Sequence, residues 1–265
     1  MIRFCLTLAV AASVVVPAFA KVAAPQSPSI RALSAEVVIV GKVTAIEKEP
    51  IAMKPQPTAD QTSEYRVALV KIEKSLLGAA GLTHVKVAFQ PPKNTGRRGA
   101  LGTNLEVGQE MVFFLSKHPV GGQYFFDYWS QPIAKGSDEA KGVELVARTL
   151  ANPKAALEAK AAAERTHAAA ILILRHRHTA GAKLSHEESQ RILKALAATD
   201  WRKLEADVGI GYQAFNMIGL TEANGWKPVI LKPGQDYLTL VQAAFRTWLE
   251  GPGKDYVISP TEGSK

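Results

Sequence analysis

The chain has 265 residues, 47% of them hydrophobic and 21% charged, and carries a formal charge of +8. That hydrophobic content excludes a disordered chain, and the length suffices for one large domain or two small ones. The single cysteine, Cys5, lies in a segment ordered like an export signal, which excludes disulfides, thiol nucleophiles and zinc-thiolate centres from the remainder.

That segment, residues 1–20, has one basic residue, Arg3, then an apolar run over 4–16, then Pro17 and an A-x-A site formed by Ala18 and Ala20. The run is short for a membrane span, so the expectation is a signal peptide cleaved after Ala20. A lipidated cysteine belongs after the apolar run, and Cys5 precedes most of it, which argues against a lipoprotein. An exported chain without cysteine points to a bacterial source and a periplasmic or extracellular protein. Its positive charge suits an envelope protein or an anionic envelope polymer as partner, and export argues against nucleic acid. No later stretch reaches about 18 apolar residues, so no transmembrane segment is expected in the mature chain.

Residues 21–33 begin Ala/Pro/Ser-rich and read as a flexible leader. From residue 34 to 135 the pattern is β. Val37–Ile46 (VVIVGKVTAI) is β-branched around Gly41, which predicts a bulged or bent strand. Residues 50–63 hold three prolines and read as a loop. Residues 65–74 and 85–89 alternate with period 2. Residues 111–116 and 123–129 flank Gly121-Gly122 as a hairpin. Five strands without a convincing helix among them predict a small closed or half-closed barrel.

From residue 136 to 265 the period becomes 3.6, with the junction near residues 131–138. Asn152-Pro153 is a helix start, and the helix is expected to run to about His178. Its residues 171–174 (ILIL) are apolar all round, which makes it the central buried helix. Ser185 and Glu188 form a capping box before a further helix. A short helix is expected around residues 213–218, and Asp236 caps the last one, ending before Gly251. The fold class is therefore α+β, a five-stranded barrel followed by a separate α-helical domain of four or five helices.

Three segments of the first half carry a resemblance: the strand from Ser34 to Val43 with its central Gly41-Lys42-Val43, the end of the second strand at Leu76-Leu77-Gly78, and Leu105-x-Val107-Gly108-Gln109-Glu110 before the next strand. In these the chain resembles the oligosaccharide/oligonucleotide-binding (OB) type barrel of the tissue inhibitors of metalloproteinases and the netrin-like module. The resemblance implies that barrel. Those inhibitors ligate their target's zinc through an amino-terminal cysteine and staple the fold with others. This chain has neither, so no inhibitory residue carries over. The second half resembles exported bacterial proteins of no assigned activity, through Asp200-Trp201, Gly219-Leu220-Thr221, Gly225-Trp226-Lys227 and Trp248-Leu249-Glu250.

Four clusters have the residue types of a site. His186-Glu187-Glu188-Ser189-Gln190 misses the zinc helix H-E-x-x-H, because Gln190 stands where the second imidazole belongs, and it reads equally as a capped first turn. Glu164-x-x-His167 has the spacing of a di-iron helix without a second such motif. Arg175-His176-Arg177-His178 offers cations at a helix end, but its two imidazoles point about 200° apart and cannot share an ion. Lys93, Arg97 and Arg98 form a basic loop that, with Tyr124, Phe126 and Tyr128 on the outer face of the last strand, is the candidate binding surface. On that assignment Phe125 fills the barrel. No nucleophile elbow, P-loop or dinucleotide-binding glycine pattern occurs, and no catalytic, metal or cofactor residue is assigned. The expected function is an exported bacterial binding or scaffolding protein without enzymatic activity. The alternatives are a periplasmic enzyme with its site between barrel and helices, and a cysteine-free module of the protease-inhibitor kind.

Overall fold

A glycine in the middle of an apolar strand weakens it unless something must come close, and at Gly41 something does. A Cβ there would lie 2.5 Å from a methyl of Val70, and the pairing slips register between Val40 and Gly41. The expected bulge is present. In the computed structural model, which describes residues 26–55, 57–92, 103–126, 130–178, 183–204 and 209–260, this strand is β1, Val37–Ile46. It pairs antiparallel with β3 (Ser63–Leu77) on one side and with β5 (Glu110–Lys117) on the other. β4 (His84–Phe89) lies against β3, and the short β6 (Tyr124–Phe125) joins β4 in parallel and β5 antiparallel. Five strands thus close a ring of pairings. Two short additions, β2 (Ile51–Met53) on β3 and β7 (Ile133–Ala134) on β5, lie outside it.

Strand alternation sends the apolar residues of β1 to two different cores. Val37, Ile39 and Val43 join Val70, Val87 and Phe113 inside the ring. Val38 and Val40, with Val112 and Phe114 of β5, face outward and belong to the same buried cluster as the helices. One hydrophobic cluster therefore runs across the expected junction at residues 131–138. This explains why the sequence of β1 is apolar on both faces, a pattern that an isolated barrel facing water would not need.

The helices are α1 (Pro28–Ser34), α2 (Asp138–Ala151), α3 (Pro153–Leu157), α4 (Ala162–His178), α5 (His186–Leu196), α6 (Ile210–Ile218) and α7 (Tyr237–Glu250). The α+β class is as expected. Three details differ. The leader expected to be flexible contains α1, capped by Ser27 with Pro28 at its start, and Ser29, Ala32 and Leu33 are buried. The apolar stripe of α1 is only about one turn long, too brief to register as periodicity. Next, α2 forms where the sequence pattern marks no separate helix, with Ser137 capping it and Asp138 and Glu139 filling its first turn. Finally, the helix expected over 152–178 is broken. Asn152 caps α3 as expected, but α3 ends at Leu157, and Arg165 Nη1 donates to the carbonyls of Ala159 (2.7 Å) and Lys160 (2.8 Å) left at the break. Alanine-rich propensity favours one continuous helix; packing overrides it. α3 buries nothing, while α4 turns inward and buries Ala168–Ala170, Ile171, Ile173 and Leu174.

Candidate functional site

The start of α2, the first two turns of α4 and a 3-10 turn at Trp201–Lys203 meet around a cleft of about 510 Å3. Each wall is fixed locally. Ser137 Oγ accepts from Ala140 N (3.2 Å) and sets where α2 begins. Asp200 caps the 3-10 turn, and Trp201 pins it by donating from Nε1 to Leu196 O (2.8 Å) beneath the surface. On α4, Thr166 is turned the other way, its hydroxyl donating to Ala195 O (2.8 Å), and this aims His167 towards the cleft.

His167 is the chemically unusual group of the lining. It is 2% exposed, and its Nε2 has no hydrogen-bond partner among the described residues. Burial penalises the imidazolium and pushes the His167 pKa down to about 4, so the ring is neutral at pH 7. A buried polar atom without a partner costs about 1–3 kcal/mol; His118 Nε2 and His176 Nε2 are in the same state, but neither lines this cleft. Glu164 lines the same cleft one turn earlier, and its carboxylate pairs with no described residue. At the rim Lys141 bonds Asp138 (2.7 Å), which raises the pKa of the lysine and lowers that of the aspartate. Lys203 lines the other side, and Leu145, Ala163 and Leu204 supply the apolar wall. The cleft thus offers a neutral imidazole at depth, one open carboxylate and one lysine. Of these, sequence reasoning had singled out only Glu164 and His167. Asp138, Lys141 and Lys203 come from distant segments and carried no signal.

The other clusters are used by the fold. Glu188 completes the Ser185 capping box, and Glu187 pairs with Arg191 (2.8 Å). Gln190 donates to Gly253 O (2.9 Å) and Tyr256 O (3.1 Å), while His186 Nε2 lies 2.7 Å from Lys254 O. HEESQ is therefore a helix start that anchors the carboxy-terminal segment. Arg175 donates to Leu33 O and Arg177 to Ser259 O (2.5 Å), so the cationic tract ties α1 and the tail to α4. His176 also bonds the backbone of Ile258, and burial lowers its pKa. The side chain of His178 lies outside the described residues.

Lys93, Arg97, Arg98 and Tyr128 of the expected binding surface also lie outside the described residues. Tyr124 is half-buried on β6. Phe126 corrects the expected facing: it is buried inside the ring, while Phe125 turns to the opposite cluster with Met53, Tyr65 and Ala88. The parity inverts because β6 is only two residues long and its register is set by pairing Phe125 with Ser116. Phe125 then packs edge-on against His118 (4.9 Å), whose Nδ1 accepts from the amides of Val120 (3.2 Å) and Gly121 (3.1 Å) and locks the turn.

At the seam between ring and helices, a cavity of about 260 Å3 is lined by Lys74, Lys135, Glu73 and Glu144. Its charges pair with one another: Lys135 with Glu73 (2.6 Å) and Glu110 (3.0 Å), and Lys74 with Glu144 (2.7 Å). Among the described residues no three His, Cys, Asp or Glu side chains are grouped to hold a metal ion, and no helix is long and apolar enough to cross a membrane. No protein-family model matches the chain, and no curated protein matches it.

Proposed function

We propose that the chain is an exported bacterial binding protein without enzymatic activity. Its ring of strands is an OB-type barrel of the metalloproteinase-inhibitor and netrin-like kind, and its helical half holds a small polar ligand in the cleft between α2 and α4. The observation that carries this reading is the orphaned Nε2 of His167 in the lining of a cleft large enough for a small molecule. A ligand that bonds this atom removes the cost of leaving it without a partner. Either neutral tautomer is satisfied by a hydroxyl, which both donates and accepts. Glu164 and Lys203 at the same cleft oppose strongly anionic and strongly cationic ligands respectively, which leaves uncharged, hydroxyl-rich molecules such as sugars and polyols. The seam supports the enzyme alternative less well, since its lysines and glutamates neutralise each other.

The experiment is saturation-transfer NMR of the protein against a panel of monosaccharides, disaccharides and polyols, repeated with His167→Leu. Binding by the parent chain that disappears in the variant, with its circular dichroism unchanged, supports the proposal. A panel without binders, or one that binds both proteins alike, refutes it.

A further inference from the structure

Among the described large hydrophobic residues Ile230 is the most exposed, at 85%, and its neighbour Leu231 is 53% exposed. The others of that class, such as Leu82, Val107 and Val120, stand singly in turns, which is normal for a surface. Ile230 and Leu231 are instead the tip of a segment held at both ends. On its amino-terminal side Trp226 N donates to Thr221 O (3.1 Å), and Trp226 packs on Phe215 (5.2 Å between ring centres). Val229 rests against the helical core. On the other side Lys232 and Gln235 close a turn, with Gln235 N on Lys232 O and Lys232 N on Gln235 Oε1, both 3.1 Å. Pro228 and Pro233 bracket the tip and stiffen it. The fold therefore pushes two large aliphatic side chains outward and keeps them there.

Lysines flank this tip. Lys227 and Lys232 are exposed and form no ion pair with the described residues, and the amides of Val229, Ile230 and Leu231 donate to none of them. Tyr237, 42% exposed, lines the same groove as Val229. Of the nearest acids in sequence, Asp236 is already engaged by Arg202 (3.1 Å) and Thr239, while Glu222 is exposed. Protruding aliphatic side chains between two free cations match a surface that is apolar below and anionic above. We propose that the tip at residues 227–232 docks the protein on an anionic lipid bilayer: Ile230 and Leu231 enter the acyl boundary, and Lys227 and Lys232 meet lipid phosphates. A peptide partner would use the free amides too, but it needs a concave seat, and Ile230 stands proud of the surface. The proposal is independent of the ligand cleft.

The test places an environment-sensitive fluorophore at the tip of the full chain carrying Cys5→Ser and Ile230→Cys, with a control label at Lys48→Cys. Vesicles of phosphatidylcholine with phosphatidylglycerol are compared with phosphatidylcholine alone. The apolar run at residues 4–16 can hold the chain on both vesicles, so the reading is the local shift at the label. The expected result is a blue shift at position 230 only, only with phosphatidylglycerol, and weakened by salt. Lys227→Glu with Lys232→Glu lowers the apparent affinity read at the label by roughly tenfold or more. No shift at position 230, an equal shift on neutral vesicles, or no response to the lysine changes overturns the proposal. A shift that depends only on protein concentration also overturns it, in favour of a second copy of the chain.

Discussion

Replacing His167 by leucine removes a buried imidazole whose Nε2 has no partner among the described residues, and of the buried histidines it is the one in the cleft lining. In the unfolded chain a histidine titrates near 6.5, whereas burial lowers His167 to about 4 in the folded protein. Between these values the unfolded state takes up a proton that the folded state refuses, so acid favours unfolding. The stability linked to this group is complete above 6.5, falls as the pH drops, and is gone once the pH has passed below about 4. At 1.36 kcal/mol for each unit of displacement, the loss is about 3 kcal/mol. His118 and His176 are lowered by burial as well and add stability of the same sign, but both proteins contain them and their effect cancels in the difference. The other charged groups lining the cleft, Asp138, Lys141, Glu164 and Lys203, are also common to both. The assay is urea unfolding followed by tryptophan fluorescence, to which the buried Trp201 and Trp248 contribute, at matched pH steps between neutral and acid. At pH 7 the leucine variant should match or exceed the parent, since it buries no orphaned nitrogen. As the pH falls, the parent should lose about 3 kcal/mol relative to the variant. Parallel stability curves, or an NMR titration placing His167 at 6.5 or above, would refute the reasoning.

Gly78→Ala should destabilise by about 2 kcal/mol or more, because φ is +69° there and a Cβ would lie 2.1 Å from Glu36 O; unfolding in urea measures it. Gln190→Ala should cost about 2 kcal/mol and lower the melting temperature, since it strips the donor from two carbonyls of the carboxy-terminal segment. An unchanged melting temperature would mean that Gln190 does not anchor it. The chain recovered from the periplasm or medium should begin at Lys21 on amino-terminal sequencing. A chain retaining Met1 in the membrane fraction would contradict export with cleavage.

The helix ends that the sequence announces through side-chain chemistry are found where expected: the Ser185–Glu188 box and the Asp236 cap each rest on a hydrogen bond three residues long in range. The bulge at Gly41 was legible for the same reason, since a glycine inside a β-branched run marks a close approach. What depended on distant partners was not legible. The break after Leu157 follows from packing α4 and from Arg165 reaching back, both invisible to alanine propensity. Leu33 O accepts from Arg175 more than a hundred residues away, a contact with α4 that the local sequence of the expected leader does not announce. The facing of Phe125 and Phe126 was decided by a two-residue pairing, too short for alternation to reveal its phase. Of the cleft, the i, i+3 pair of Glu164 and His167 could be seen on one helix. Its opposite wall, from α2 and Lys203, could not.

The most direct measurement of the ligand cleft is the 15N spectrum of the His167 ring, recorded free and then with the tightest-binding sugar or polyol of the panel. The proposed contact requires the Nε2 resonance to move on saturation with that ligand, and the ring to remain neutral at pH 7. An Nε2 resonance that stays in place while the ligand is bound, or that no hydroxylated ligand moves, would contradict the claim that this cleft is the binding site.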